Sequence, residues 1–393
     1  MLERCDALAA ISEETGRLVR RFATPALREA VDTVGGWVRD AGLAVREDGV
    51  GNLIGRRGEG PALVLGSHLD TVIDAGRYDG PLGVLGAIAV AGRLGERELP
   101  FALEVVAFAD EEGVRYSTAF LGSSAMAGSF DTTQLGNTDA QGIAMAEAIR
   151  AYGGDPDAIV SAARAPGDLL AYCELHIEQG RVLERGGVPV GIVTTITGQN
   201  QVELVFRGEA GHVGTMPMQR RHDALAAAAE WIVGAEALAR GREDLVATVG
   251  RIRVEPGARN VIPGSAALSL DLRHTDDATR RAAVDDLRSQ AERIAAARDI
   301  ALEWTLVGET EALPLDPDLA GRLEEAVRAT GTPVARLASG AGHDGVAMSA
   351  LAPVAMLFVR CEGGISHNPA EAVAEADVAV ALDVLERFVV SLA

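Results

Sequence analysis

Residues 61–70 read PALVLGSHLD, a short apolar run that ends at a glycine and leads into a histidine and an aspartate. The apolar part has the pattern of a buried strand, so His68 is expected just past the carboxyl end of that strand. A second apolar run, residues 101–109, leads directly into Asp110, Glu111 and Glu112. Ligands of open α/β sheets bind at the carboxyl ends of the strands, so the two runs predict one functional edge.

Two later stretches have the same pattern. Residues 172–177 form a strand-like run that contains His176, and residues 354–359 form another that precedes His367. Helical spacing of apolar residues occurs over 26–41, and residues 82–94 resemble a buried helix. The predicted fold class is therefore α/β, with a catalytic domain built on a central mixed β-sheet flanked by helices.

The pattern of predicted strands and helices changes between residues 195 and 307. Alternating strand patterns at 201–206, 246–254 and 266–272 flank two helical stretches rich in alanine and arginine, at 221–239 and 277–297. This β-α-β-β-α-β order predicts an inserted α+β domain of the ferredoxin-like type. The predicted domains are 1–194 with 308–393, and the insert 195–307.

The amino-acid composition excludes several classes of partner and enzyme. The 393 residues include 36 basic and 57 acidic side chains, a net charge of −21, which argues against nucleic acid or an anionic membrane as partner. Every basic residue is arginine, which excludes enzymes that need a P-loop or Schiff-base lysine. The three cysteines are far apart, residues 1–6 show no apolar signal-peptide region, and no apolar stretch is long enough to suggest a membrane span, so neither a signal sequence nor a span is expected. We expect a cytoplasmic protein that acts on a small molecule.

The acids and histidines carry the chemistry. Asp79 lies in an Asp-Gly-Pro turn, where local turn hydrogen bonding alone could explain an aspartate. The three acids at 110–112 are harder to explain, because adjacent carboxylates repel one another unless cations or protons compensate. Imidazole and carboxylate ligands suit borderline divalent ions, so the set predicts a dinuclear metallohydrolase. His222 and His274, each beside an arginine, are expected to be exposed and are given little weight as functional residues.

Two other kinds of site are not predicted. Residues 340–345, GAGHDG, match the dinucleotide glycine fingerprint, but the helix that follows is too short and His343 and Asp344 crowd the loop where a pyrophosphate would approach. The Gly-x-Ser-x-Gly nucleophile elbow of serine hydrolases does not occur.

Five motifs together resemble one family. They are GSHLDTV (66–72), GRYDGPLGV (76–84), DEEGVRY (110–116), ELHIEQG (174–180) and GGISHNP (363–369). In this order they resemble the hydantoinase/carbamoylase family of amidohydrolases, within the dinuclear metallopeptidase group typified by aminoacylases and carboxypeptidase-like enzymes.

The resemblance implies roles for these residues. His68 and His367 would serve opposite metal ions, Asp79 would bridge the ions, and Glu112 and His176 would complete the ligand set. It further implies Glu111 as the general base and Asp70 as the group that orients His68. The implied cofactor is a pair of divalent ions, manganese or zinc, with cobalt or nickel also open.

Further residues are implied to meet the substrate. His212 would stabilise the oxyanion, while Asn260 and Arg273 would hold a substrate carboxylate. Gln179 and Gly364 are also assigned to substrate binding. In the family the inserted domain acts as a lid and forms a homodimer, and both properties are expected of this chain.

The expected substrate is inferred from the resemblance of shorter sequence segments. Residues 110–116 and 356–364 look most like those of allantoate amidohydrolases, which hydrolyse a ureido group and release ammonia, so purine catabolism is the expected context. N-carbamoyl-L-amino acid hydrolases and β-ureidopropionases share the implied metal and carboxylate ligands and remain the alternative. Peptidase activity is a more distant one. A non-catalytic binding protein is disfavoured, because no candidate ligand or base is missing.

Overall fold

The structure is a computed structural model that describes residues 1–161 and 163–393 in full and residue 162 by its backbone alone. Its strands are β1 (Ala44–Glu47), β2 (Leu53–Arg57), β3 (Ala62–His68), β4 (Ala102–Phe108), β5 (Leu169–Ile177), β6 (Val190–Ile196), β7 (Gly198–Arg207), β8 (Gly211–His212), β9 (Val246–Glu255), β10 (Val261–Ile262), β11 (Ser265–His274), β12 (Ala301–Thr310), β13 (Leu313–Pro314), β14 (Arg336–Ser339) and β15 (Val354–Val359). Its helices are α1 (Leu2–Ala9), α2 (Pro25–Asp40), α3 (Pro81–Leu94), α4 (Leu121–Ala127), α5 (Met145–Tyr152), α6 (Val182–Gly186), α7 (Ala224–Arg240), α8 (Asp277–Ala297), α9 (Pro317–Ala329), α10 (Gly345–Met348) and α11 (Glu375–Ser391).

The chain divides into two compact units. The first contains Met1–Thr194 and Leu315–Ala393, and the second contains Thr195–Pro314. The sequence-based boundary at residue 307 falls inside β12, because that strand continues to Thr310. Within the described residues, no helix is both long and apolar enough to cross a membrane.

The first unit is built on a mixed sheet. Its strand order is β1-β2-β4-β3-β5-β15-β6, and β14 pairs with β6. Strand β3 runs parallel to β4 and β5, and β15 runs parallel to β5, whereas β1, β2 and β6 pair antiparallel with their neighbours. This sheet, flanked by helices, confirms the predicted α/β class.

The parallel strands are continuous apolar runs because they are buried. Every residue of β3, β4 and β15 is buried, as expected for strands covered on both faces. Helix α3 packs closely on this sheet through its glycines. A Cβ on Gly83 would overlap the carbonyl oxygen of Leu175, and one on Gly86 would meet the side chain of the same leucine. The close approach places the start of α3, and with it Asp79, beside the end of β5.

The second unit has an antiparallel sheet with the order β12-β7-β11-β9. Helices α7 and α8 pack against it and against each other. Trp231 of α7 is fully buried, and its indole Nε1 donates a hydrogen bond to the carbonyl oxygen of Leu287 in α8 at 2.9 Å. Apart from the two-residue strands β8 and β10, the elements follow the predicted β-α-β-β-α-β order.

Candidate metal centre

The four parallel strands β3, β4, β5 and β15 end at one edge of the first unit's sheet. His68 is the last residue of β3 and pairs with Phe108 at the end of β4. His176 lies near the end of β5 and pairs with Phe358 of β15. The acids 110–112 follow β4, and His367 follows β15. The predicted functional edge is therefore formed by the residues expected there.

Asp79 lies between two groups of side chains. Its Oδ1 is 3.2 Å from Nε2 of His176 and 3.9 Å from Nε2 of His68. Its Oδ2 is 3.2 Å from Nε2 of His367, and that nitrogen is 3.6 Å from Oε1 of Glu112. Each oxygen of one carboxylate thus faces its own set of ligand atoms, which is the geometry that a bridging ligand needs.

Among the described residues, four sets of three side chains have ligand atoms close enough together to hold an ion, and two of these sets contain Asp79. His68, Asp79 and His176 form one set, and Asp79, Glu112 and His367 form the other, with the ligand atoms of each set within 4.8 Å of one another. Asp79 belongs to both sets.

The rings of His68 and His176 are held for coordination through Nε2. Nδ1 of His68 is 3.1 Å from the carbonyl oxygen of Asp70, and Nδ1 of His176 is 3.0 Å from that of Ile177. A carbonyl oxygen only accepts hydrogen bonds, so each Nδ1 carries a hydrogen and Nε2 is directed at Asp79. Nε2 of His176 is buried and makes no hydrogen bond. A divalent cation would satisfy this nitrogen and the facing carboxylate together, so the residues fit a metal pair.

Asp70 contacts both His68 and the backbone of the acidic loop. Its Oδ1 accepts a hydrogen bond from the backbone N–H of Glu111 at 3.0 Å, and its Oδ2 accepts one from that of Glu112 at 3.1 Å. Oδ1 also lies 3.4 Å from Nδ1 of His68. One carboxylate therefore fixes the loop of two acids against the end of β3.

The acids at the centre are electrostatically unlike one another. Burial raises the pKa of Glu111 well above its usual value and raises that of Glu112 to about 7. Burial also opposes ionisation of Asp79, but contacts with His176 and His367 outweigh it and hold the pKa of Asp79 well below its usual range. The contacts with the imidazoles therefore favour the ionised form of Asp79, whereas burial favours the protonated forms of Glu111 and Glu112.

Gln179 and Gly364 are placed differently from each other. The amide nitrogen of Gln179 donates to Oδ2 of Asp79 at 2.9 Å, so this side chain reaches the centre. Gly364 has a φ of +63°, and a Cβ there would overlap the backbone of Gly180. A glycine is therefore favoured at this position by the conformation of the turn and by its packing on the chain after β5.

The remaining predicted residues lie in the second unit. His212 is exposed in β8 and pairs with Val261 of β10. Val261 is the residue that follows Asn260 in the chain. Arg273 lies on β11 and donates to Asp271 through Nε at 2.8 Å and Nη2 at 3.0 Å. His212 and Asn260 are thus neighbours, and the guanidinium of Arg273 already engages a carboxylate.

A family model described as peptidase family M20/M25/M40 matches residues 64–391. The chain belongs to that family. It is 40% identical to an allantoate deiminase from Arabidopsis thaliana, over 98% of this chain and 80% of that protein. It is 42% identical to an N-carbamoyl-L-amino acid amidohydrolase from Geobacillus stearothermophilus, over 97% of this chain and 95% of that protein.

A solved structure extends the likeness of the M20/M25/M40 chain to the fold. The chain superposes on an amidase of the hydantoinase/carbamoylase family from Burkholderia multivorans with a TM-score of 0.92 at 32% identity, covering 100% of this chain and 97% of that one. The resemblance stated from the five motifs is confirmed.

Sequence reasoning missed two buried residues beside His176 in the M20/M25/M40 centre. His343 is buried with its ring centroid 4.6 Å from that of His176, and its Nε2 lies 2.9 Å from Oγ of Ser339. Glu174 is fully buried and accepts from Oγ of Ser67 at 3.0 Å. The histidine in the glycine-rich loop was the available signal, but it served only as an argument against a dinucleotide.

The predicted exposure of His274 is wrong. His274 is 8% exposed, and its Nδ1 accepts a hydrogen bond from the backbone N–H of Asp276 at 2.8 Å. Its Nε2 lies 3.1 Å from the carbonyl oxygen of Glu243. An adjacent arginine does not report exposure here, because alternate residues of a strand point to opposite faces of the sheet. His222 is half-buried.

Proposed function

We propose that this protein is a metal-dependent amidohydrolase that cleaves the ureido C–N bond of a small carboxylate, with allantoate as the substrate and ureidoglycine, ammonia and CO2 as products. The observation that carries the proposal is the placement of Asp79 between two sets of ligand atoms. The similarity to an allantoate deiminase over 98% of the chain supports the choice of substrate.

The proposed ligands divide into two sets around Asp79. His68 and His176 would hold one ion with Asp79, and Glu112 and His367 would hold the other with Asp79. Two divalent ions, when bound, lower the pKa of a water molecule and polarise the carbonyl group that it attacks. Manganese and zinc are the proposed ions, with cobalt and nickel also compatible with nitrogen and oxygen ligands.

Glu111 is the proposed general base. Its carboxylate is nearly buried, and Asp70 holds its backbone N–H. A carboxylate in such surroundings binds a proton more tightly than one in water, which suits a group that takes the proton of the attacking water and then passes it to the leaving nitrogen. Asp70 acts by holding this loop and the ring of His68.

The second unit supplies the proposed substrate contacts. His212 would donate to the oxyanion that forms on the attacked carbonyl, and Asn260 and Arg273 would bind the substrate carboxylate. The planar guanidinium of Arg273 would provide a local positive charge to bind this carboxylate, in a chain whose net charge is −21. Gln179 and Gly364 would contact the substrate from the first unit. Closure of the second unit as a lid, its use in a homodimer and a cytoplasmic location are also part of the proposal.

Hydrolysis of an N-carbamoyl-L-amino acid is the second candidate, with β-ureidopropionase activity as its variant. The 42% identity to an N-carbamoyl-L-amino acid amidohydrolase favours it. Both substrates carry a ureido group near a carboxylate, so the same base and the same arginine would serve.

Ammonia release distinguishes the two candidates. The purified protein, stripped of metal and reloaded with manganese or zinc, is offered allantoate, a series of N-carbamoyl-L-amino acids and N-carbamoyl-β-alanine. The proposal expects the highest kcat/KM with allantoate. A higher kcat/KM with a carbamoyl amino acid would favour the second candidate, and a lack of turnover on every compound would contradict both.

A further inference from the structure

A buried carboxylate outside the ligand sets holds the turn that carries Asp79. Oε1 of Glu371 accepts hydrogen bonds from the backbone N–H groups of Tyr78 at 2.7 Å and of Asp79 at 3.1 Å. Glu371 is only 3% exposed. One oxygen therefore satisfies two successive backbone donors just before helix α3.

The packing around Glu371 leaves little freedom to this turn. A Cβ on Gly76 would overlap the carboxyl group of Glu371, so the chain before Asp79 lies directly on that side chain. Oε2 of Glu371 is buried and makes no hydrogen bond. The position of the carboxyl group is thus set by the two bonds to Oε1 and by contact with the turn.

Glu371 belongs to the same segment as the ligand His367. Its backbone N–H donates to the carbonyl oxygen of Asn368 at 3.0 Å, which closes the turn after the histidine. In the same segment, Oγ of Ser366 donates to Oδ2 of Asp79 at 2.9 Å. The segment that carries His367 therefore contacts Asp79 at its backbone and at its side chain.

We propose that Glu371 is a positioning residue that fixes the Asp79 turn against the His367 turn and thereby sets the affinity of the paired metal site. The inference rests on the ligand sets of the proposed function. Removal of the carboxyl oxygen would leave two buried N–H groups unpaired and would free the bridging carboxylate to move away from His367.

The role requires a hydrogen-bond acceptor at the position of Oε1 and does not require the charge. Glu371→Gln keeps an oxygen there and places an amide nitrogen where Oε2 makes no hydrogen bond. Glu371→Ala removes the acceptor, and Glu371→Asp keeps the charge but withdraws the oxygen by one methylene. Glu324→Ala is the matched control, because Glu324 is also a buried carboxylate, 5% exposed, but it pairs with Arg328 of helix α9 and Arg336 of strand β14.

Cobalt titration of the metal-free proteins, followed by visible absorption, tests the proposal. Glu371→Ala and Glu371→Asp are expected to bind cobalt about 10- to 100-fold more weakly, the usual effect of losing a group that orients metal ligands, with an altered spectrum. Glu371→Gln and Glu324→Ala are expected to match the wild type in affinity and spectrum. If Glu371→Ala does not fold, Glu371→Asp and Glu371→Gln carry the comparison.

Three results would separate the possible failures. Wild-type affinity in Glu371→Asp or Glu371→Ala would overturn the positioning role. Weak binding by Glu371→Gln would show that an acceptor oxygen without the charge is not sufficient, which also overturns it. A wild-type protein that binds no cobalt pair would contradict the proposed function itself, whatever the variants do.

Discussion

Glu111 and Glu112 are adjacent but have different proposed tasks, which a pair of isosteric substitutions separates. Glu111→Gln should retain both metal ions and lower kcat by a factor of about 100 to 10,000, the range for loss of a general base. Glu112→Gln should instead lower the metal content, because Oε1 of Glu112 lies with His367 and Asp79 in one ligand set. Metal analysis beside ammonia release makes the comparison, and full turnover in Glu111→Gln would remove Glu111 as the base.

Arg273 is proposed to bind the substrate carboxylate while it contacts Asp271. Arg273→Ala should raise KM for allantoate about 10- to 100-fold, since hydrogen bonds to charged groups contribute about 1.5–3 kcal/mol. Arg207→Ala on β7 is the control, because that arginine pairs with Glu303 on the exposed surface of the same sheet. An unchanged KM in Arg273→Ala would contradict the assignment.

In the metal-free protein, Glu112 should contribute stability that grows as the pH falls from about 7 towards 4.5. Burial raises the pKa of Glu112 from 4.5 to about 7, so between these values the folded state holds a proton that the unfolded chain releases. The contribution of Glu112 to the free energy of unfolding therefore rises on acidification through this window. Glu112→Gln cannot titrate, so its free energy of unfolding, measured with denaturant, should gain less or lose more than that of the wild type over the same fall in pH. An identical pH dependence in the two proteins would show that Glu112 ionises normally.

At the residue scale, the sequence predicted the side chains that lie in recognisable motifs. His68, Asp79, Glu112, His176 and His367 come together as expected. His343 and Glu371 were missed because their positions depend on which distant segments the fold brings into contact. Glu371 meets residues almost 300 positions earlier in the chain, and no local pattern records such a contact.

At the scale of elements, the glycines of helix α3 set how closely the helix approaches the sheet. Gly83→Ala should destabilise the protein by about 1–3 kcal/mol, because the new methyl group would overlap the carbonyl oxygen of Leu175. Gly92→Ala in the same helix should be neutral or stabilise by up to about 1 kcal/mol, because its Cβ would come only within 4.0 Å of Ala41. Denaturant unfolding of the two variants measures the difference, and equal stabilities would contradict the packing account.

Most helices and strands were predictable because burial imposes a period on the sequence. The apolar run at 354–359 coincides with β15, and the helical stretch 277–297 coincides with α8. The end of the insert was not predictable to the residue, since β12 alternates between exposed and half-buried positions and continues past the predicted boundary.

At the scale of the whole molecule, a chain of net charge −21 is proposed to act on an anion. Divalent cations at the end of the sheet and Arg273 in the second unit would provide the local positive charge that the molecule lacks overall. We therefore expect bound metal to be necessary both for the hydrolysis and for attracting the substrate.

Metal-dependent turnover tests this central claim most directly. Metal-stripped protein is titrated with manganese or zinc, and bound metal and ammonia release from allantoate and from a carbamoyl amino acid are measured at each step. The account predicts no turnover without metal, full turnover once two ions are bound per chain, and neither pair binding nor turnover in Asp79→Asn. Full turnover by the stripped wild-type protein in the presence of a chelator would contradict it.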